Sequence, residues 1–557
     1  MQQVEPIQKV HHSAWTRLKV LLARLDSSLR RSPSPWILGL LVTGFAVRIW
    51  HASGTYLNPD EALHFFVANQ TNWWRTYKES LILAHPPLLI FLLHAWRGLG
   101  TSESMLRMPS ILAGTASCWL AYRWLAMLMD KTVATMALVF MLFLPSSIEL
   151  STEVRQYALL LAFSMAAGYL VELALARNSV GAMLLSGLCL CLAICSHYSA
   201  FLFAMTLGIY TVLRMAERHP SFKVFAAWEV GQIVAITLSY FFYITHLAQL
   251  GNLYGGVSAV RGFMGNEYLS NSYFVPGRIH PLLFVFARTG GALQYLFRQA
   301  VVGDIAYAVL VVGLIQVFRR REPGRLRRHV AFLLLFPFVV NCAAALARAY
   351  PYGGTRHSIF LLPFAAALVS TGLVSFRWLR DQMARGVLVA LAVVLLCNLI
   401  PSKRLPYISR ESQRKRNMQS AIAFLQQVEA QAPIFTDNQT SLMLGDYLCD
   451  QRPVEIDKTV LGFTSFECAG HRVIVANQFI FTARSFYDQW QLMTSQYRLG
   501  PGTRVWVTQM GWSTYLAFEL STFPQLHLNP HYFGNNLQIF ELDAGEKLPD
   551  PELLPTS

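Results

Sequence analysis

Charge is what this chain has least of. Only 14% of its 557 residues are Asp, Glu, Lys or Arg, against 54% hydrophobic. A soluble protein carries about a quarter charged residues, so a water-facing globule over most of the chain is excluded. Acids are the scarcer sign, 31 against 46 basic residues, giving a net charge of +15. That excess does not mark a nucleic-acid partner. Lys and Arg fall in short segments between apolar blocks, and no aromatic-interleaved basic domain or nucleic-acid motif is present. The C-terminal segment has no glycine-rich loop opening a helix, so no nucleotide site is expected there. The first residues, MQQVEPIQKVHHSAW, hold no apolar core before Pro35–Trp36, and no cleavable signal peptide is expected. Cysteine is sparse, 8 in all. Cys189, Cys191, Cys195 and Cys342 sit in apolar blocks and read as inert core residues.

What the chain does have is apolar blocks, each near the ~20 residues that cross a hydrocarbon core. Backbone groups find no water there, so the blocks must be helical. Eleven spans are predicted, at about 36–52, 105–128, 133–149, 156–176, 181–196, 198–213, 226–246, 298–317, 330–347, 357–376 and 386–400. HPPLLIFLLHAW, from His85, is apolar but too short to cross, and reads as an interfacial or re-entrant helix.

Basic segments set the orientation. Lys9, Arg17, Lys19, Arg24, Arg30 and Arg31 share a side with Lys131, Arg177, the Arg214–Lys223 stretch, the RRREPGRLRR run from Arg319, and Arg377–Arg385. The alternate loops are poor in Lys and Arg, which places the basic side in the cytoplasm. Three domains follow. Residues 1–35 form a cytoplasmic basic arm, and 36–400 a polytopic α-helical membrane domain with large outer loops near 53–104 and 247–297. Residues 401–557 form a soluble extracytoplasmic α/β domain, where PIFTD, HRVIVAN, TRVWVTQ and LQIFEL alternate with helical stretches such as QSAIAFLQQVEAQ. Cys449 and Cys468 lie in that domain, and an extracytoplasmic setting suits a disulfide between them.

The same alternation sorts the polar residues. Asp60 and Glu61 lie in the first outer loop, and His85 begins the interfacial segment. Glu149, Glu153, Arg155 and Tyr157 sit at the next outer turn, His197 and Tyr198 at a third, and Arg348, Tyr350, Tyr352, Arg356 and His357 at a fourth. Ionisable groups that converge near a bilayer point to function. Each also has a structural reading. Asp60–Glu61 suits a helix start, Arg155 and Arg356 suit snorkelling arginines, and His85-Pro86-Pro87 suits a break before a first turn. His197 reads as a satisfied helix-end histidine, since no metal-type spacing accompanies it. Together they supply a carboxylate base and arginines for a phosphate leaving group.

The succession PDEALH, HPPLLIFLLHAW, ESMLRMPSILAG, STEVRQYALLL and SHYSA, with GGTRHSIFLLPFAAAL later, resembles the GT-C glycosyltransferases. It is nearest the bacterial branch related to protein O-mannosyltransferases and lipid A aminoarabinose transferases, over roughly residues 50–400. The resemblance implies a GT-C-like fold and inverting transfer of a sugar from a polyprenyl-phosphate carrier to an extracytoplasmic protein, lipid or glycan. It implies Asp60 as catalytic base with Glu61 beside it. Arg155 and Arg356, with Arg107, His85, Tyr157 and His197, make up the substrate- and phosphate-binding set. The implied setting is the cell inner (plasma) membrane, with membrane lipids, the lipid-linked donor and the acceptor as partners. No cofactor is assigned, and a divalent metal stays open. His357 stands where Tyr is more usual. Leu89-Ile90 stands where protein O-mannosyltransferases commonly have Gly-Lys after His-Pro-Pro-Leu, which weakens a specifically protein acceptor. Two rival classes are weighed. A transporter or flippase of lipid-linked sugars should carry its polar groups near the bilayer midplane. A non-enzymatic membrane binding protein leaves the one-faced cluster unexplained.

Overall fold

The structure, a computed structural model, describes residues 14–247, 269, 271–319, 326–400, 413–428, 431–450, 462–478, 481, 483–511, 516, 529–534, 537–545 and 548. The start of the basic arm, much of the predicted loop 247–297 and residues 320–325 of the Arg319 run lie outside the described residues.

Among the described residues, eight helices are long and apolar enough to cross a membrane: Pro33–Ser53, Glu103–Leu128, Tyr157–Arg177, Ala200–Arg218, Phe222–Leu247, Ala300–Arg319, Arg328–Leu346 and Arg356–Val374. A ninth candidate is a pair, Lys131–Phe143 and Pro145–Ser151, bent by 59°. Two shorter apolar helices, Val180–Ser196 and Met383–Leu399, stand where the remaining two of the eleven predicted spans fall. At 17 residues each, they are at the lower end of what crosses a bilayer.

The bend corrects the prediction of one continuous span over 133–149, and Pro145 explains it. A proline has no N–H for the preceding turn. The carbonyls left over are taken by Arg48, whose Nη1 donates to Leu142 O at 2.9 Å and Nη2 to Met141 O at 3.3 Å. Arg48 is buried and lies in the first span.

The loop 53–104 is largely helical: Pro59–Ala68, Trp73–Ser80 and Leu88–Trp96. The last has nine residues, about 14 Å of helix, too short to span. A second correction concerns the predicted loop 247–297, which contains the 17-residue helix Pro281–Phe297. Arg288, Thr289 and Gly290-Gly291 dilute its apolar pattern. The glycine pair permits close packing, and Gly291 lies against the backbone of Gly354.

The C-terminal part is an α/β domain. Its strands are β1 Ile434–Thr436, β2 Phe463–Cys468, β3 His471–Ala476, β4 Arg504–Met510, β5 Asn529–Gly534 and β6 Leu537–Asp543. They form one sheet in the order β2-β3-β1-β4-β6-β5. β1 is parallel to β3 and β4, while the outer pairings are antiparallel. Alternate residues face opposite sides. Ile434, Val473, Val475 and Trp506 pack with helices Lys415–Gln427 and Asn438–Tyr447. Phe435, Ile474, Val505 and Val507 pack with helix Ala483–Gln496. A disulfide joins Cys449 and Cys468.

Candidate active site

The sequence Asn58-Pro59-Asp60-Glu61 opens the helix Pro59–Ala68 through a reciprocal cap. The Glu61 amide donates to the Asn58 side chain, and the Asn58 amide donates to Glu61 Oε2, both at 3.0 Å. The cap is therefore Asn58, with proline in the first turn where its missing N–H costs nothing. Both acids sit in that first turn, where the helix dipole favours negative charge.

The two acids then diverge. Glu61 turns inward and is fully buried. Arg107 donates to it from Nε and Nη2, each at 2.7 Å. The Val154 amide donates to the same carboxylate at 2.8 Å. The remaining Arg107 donors go to Ala52 O, Thr55 O, Thr55 Oγ1 and Tyr56 O at 2.8–2.9 Å. All five N–H groups of Arg107 are thereby engaged, leaving none for a phosphate. The pair is a buried bracket: it holds the loop before Asp60 and, through Val154, the turn that carries Arg155.

Asp60 turns outward, its side chain a quarter exposed. A single oxygen, Oδ2, receives Arg155 Nη1 at 2.9 Å and Arg356 Nη1 at 3.0 Å. Arg155 comes from the turn before helix Tyr157–Arg177, and Arg356 from the 3-10 turn Arg356–Leu361. Elements about 95, 200 and 296 residues apart in the chain thus meet at one carboxylate. Both guanidinium groups are largely buried, with side chains 8% and 16% exposed. They point at an acid and do not snorkel toward water. Burial raises the Asp60 pKa, but Arg155, Arg356 and His64 outweigh it and bring it to about 2.

Behind this carboxylate lie two stacked imidazoles. His64 Nδ1 meets the Asp60 carbonyl, and His85 Nδ1 lies 2.9 Å from the Pro86 carbonyl. Their Nε2 atoms are 2.6 Å apart. Burial and then Arg155 push His64 down to about 3. Burial and then His64 push His85 well below its usual value. His85 therefore touches the site through His64 and does not contact Asp60 directly. His64 was missed in the sequence, though its i, i+4 spacing from Asp60 on one helix face was legible.

On the other flank, Tyr157 lies under the Arg155 guanidinium at 5.7 Å and 5.2 Å from the His197 ring. His197 Nδ1 accepts from the Ser199 amide at 3.1 Å, so the neutral ring carries its proton on Nε2. Burial, then Arg155 and Arg356, hold His197 at about 3. His357 follows at 6.4 Å from His197. Of the eight predicted site residues, Arg155, Arg356, His85, Tyr157 and His197 thus gather about Asp60, and Arg107 stands apart with Glu61. Glu149 is ion-paired with Arg298, a residue the sequence reading did not select. Next to them Glu153 is pushed up to about 8 by burial and by Glu149 and Glu61. Among the described residues no group of three or more His, Cys, Asp or Glu is placed to hold a metal.

Residues 84–244 match the family model of dolichyl-phosphate-mannose-protein mannosyltransferases, under a third of the chain. No curated protein matches. The chain is similar to the crystal structure of ArnT from Cupriavidus metallidurans bound to undecaprenyl phosphate. The TM-score is 0.50 at 11% identity, covering 93% of this chain and 100% of that one. For the apo state of the same protein the TM-score is 0.49 at 11% identity, covering 91% and 98%. For the Archaeoglobus fulgidus oligosaccharyltransferase in complex with Zn and sulfate it is 0.43 at 11% identity, covering 73% and 61%. The chain has the polytopic GT-C fold with a C-terminal sheet-containing domain, as the resemblance implied.

Proposed function

We propose that this protein is a membrane glycosyltransferase that moves a sugar, with inversion, from a polyprenyl-phosphate carrier to an extracytoplasmic hydroxyl or amine. The observation that carries the reading is the pairing of one carboxylate oxygen, Asp60 Oδ2, with two guanidinium groups from distant helices. Asp60 takes the acceptor proton as the acceptor atom bonds to the anomeric carbon. The bond from that carbon to the phosphate oxygen breaks, and its electron pair leaves on polyprenyl phosphate. Arg155 and Arg356 receive that charge, since a guanidinium fork matches phosphate oxygens and stays protonated. His197 Nε2–H is a further neutral donor on the same side.

The arrangement also bears on timing. A carboxylate held at about 2 is a weak base, because general-base catalysis is best with a pKa near the working pH. A donor phosphate competes with Asp60 for the same N–H groups. As the arginines turn to it, Asp60 loses its counter-charges and becomes more basic. Productive base strength then accompanies a bound donor. ArnT, whose fold is shared, is described bound to undecaprenyl phosphate, and the matching family model describes a dolichyl-phosphate-linked donor. Both support a lipid-phosphate carrier here. The positive-inside pattern supports an inner-membrane protein whose Asp60 face and C-terminal domain are extracytoplasmic.

The test is Asp60→Asn in the purified full-length protein, assayed with a polyprenyl-phosphate sugar. Turnover should fall by about 10²–10⁴-fold, the usual worth of a general base, while polyprenyl phosphate still binds. Near-normal turnover overturns the assignment.

A further inference from the structure

The connector between the first span and the Asp60 helix, residues 54–58, is tied to the C-terminal domain almost group by group. Tyr56 N donates to Gln413 O and Lys415 N to Gly54 O, each at 3.0 Å. Gln413 Nε2 donates to Tyr56 O at 3.3 Å. Leu57 N donates to the phenol oxygen of Tyr447 at 2.7 Å. Tyr447 donates in turn toward Glu103 Oε1 at 3.4 Å, and Lys415 Nζ donates to Glu103 Oε2 at 2.8 Å. From the membrane side Arg107 grips the carbonyls of Ala52, Thr55 and Tyr56.

Steric contact continues where these bonds stop. Gly511 follows β4 with φ +98°, a backbone shape that side chains disfavour, and a Cβ there would strike the Pro59 ring. Helix Asn438–Tyr447 packs against helix Pro59–Ala68, with Tyr56 and Ala62 inside the domain's own core. Tyr56, Leu57 and Asn58 are all buried. Apolar contact at Tyr56 and Ala62 is enough to dock a domain. The polar ties add direction, and they concentrate on the few residues that precede Asp60.

We propose that the C-terminal domain is a positioning part of the transfer site, with Tyr447 and Gly511 setting the place of Asp60 through Leu57 and Pro59. The inference rests on the reading of Asp60 as the base. Tyr447 and Gly511 touch no reacting atom. They act by fixing where the first turn of the Asp60 helix begins, so that its carboxylate meets Arg155 and Arg356.

The test is Tyr447→Phe in the full-length protein, which removes the acceptor of the Leu57 amide and keeps the ring. Hydrogen exchange over the peptide containing residues 54–60 should quicken. The kcat for transfer should fall by about 10- to 100-fold, because a displacement of about 1 Å at a reacting group is worth up to about 10² in rate. The KM for the lipid donor should stay within about twofold, and the fall in kcat should appear at temperatures where the variant is still fully folded. Gly511→Ala should reproduce the split by pressing on Pro59. Unchanged exchange with unchanged kcat in Tyr447→Phe overturns the proposal. So does a kcat that falls only in step with the folded fraction. Turnover of Asp60→Asn tests the reading of Asp60 separately, while exchange at Leu57 reports the clamp whether or not that reading holds.

Discussion

Glu61 and Arg107 meet through two parallel bonds, Oε1 to Nε and Oε2 to Nη2, each 2.7 Å and both buried. The neighbouring acid, Asp60, keeps a quarter of its side chain exposed. Adjacent residues of one kind therefore carry different loads. Removing one member of a buried pair strands the other charge and costs about 3–5 kcal/mol. Glu61→Gln and Arg107→Ala are expected to lower the thermal midpoint and the folded yield, and to do so more than Asp60→Asn. Thermal unfolding of detergent-solubilised variants measures this. A Glu61→Gln protein with a wild-type midpoint and no turnover would put Glu61 back into the chemistry.

Arg155 and Arg356 reach the same oxygen of Asp60, so the fork geometry matters as much as the charge. Lysine keeps the charge and loses the fork. Arg356→Lys is expected to weaken binding of polyprenyl phosphate by about tenfold, or about 1.4 kcal/mol. Direct titration with the lipid phosphate reads this without any sugar or acceptor. Unchanged affinity would leave Arg356 as an anchor of Asp60 alone.

Glu153 gives the protein a pH signature. Its pKa is pushed from the usual 4.5 up to about 8, first by burial and then by Glu149 and Glu61. The folded state therefore favours its protonated form. That contribution is complete below about 4.5 and is lost as pH rises through about 8. His64 and His197, held at about 3 when folded, regain the usual 6.5 in the unfolded chain and add stability as pH rises to about 6.5, so the Glu153 loss stands alone only above that. The thermal midpoint should fall as pH rises from about 6.5 through 8, and Glu153→Gln should flatten the slope there. An equal slope in the variant would assign it elsewhere.

Much of this architecture is written in local pattern. Apolar blocks announce helices because a bilayer leaves the backbone no other choice, and Asn58-Pro59 announces a helix start because capping is local. What local pattern cannot carry is partnership. Arg107 lies in a motif that suggested a phosphate ligand, and only the fold reveals Glu61, 46 residues away, as its partner. The helix Pro281–Phe297 escaped because Gly290-Gly291 reads as a turn, and the closeness of Gly354 that makes use of it is a tertiary fact. The bend at Pro145 was legible, but the arginine that stabilises it comes from another span.

The side of the membrane that Asp60 faces can be tested without counting spans. The C-terminal domain is bonded directly to residues 54–57, so Asp60 and the Cys449–Cys468 disulfide lie on the same face of the helical body. Disulfides persist in oxidising compartments and are rare in the cytosol. Proteins trapped by acid quenching and alkylated before reduction are expected to show Cys449 and Cys468 blocked from the alkylating reagent. Cys449→Ser should leave Cys468 free to react. Full alkylation of both cysteines in the wild type would place this face, and the transfer site with it, on the reducing side. That outcome would remove the extracytoplasmic acceptor from the proposal while leaving the Asp60–Arg155–Arg356 chemistry intact.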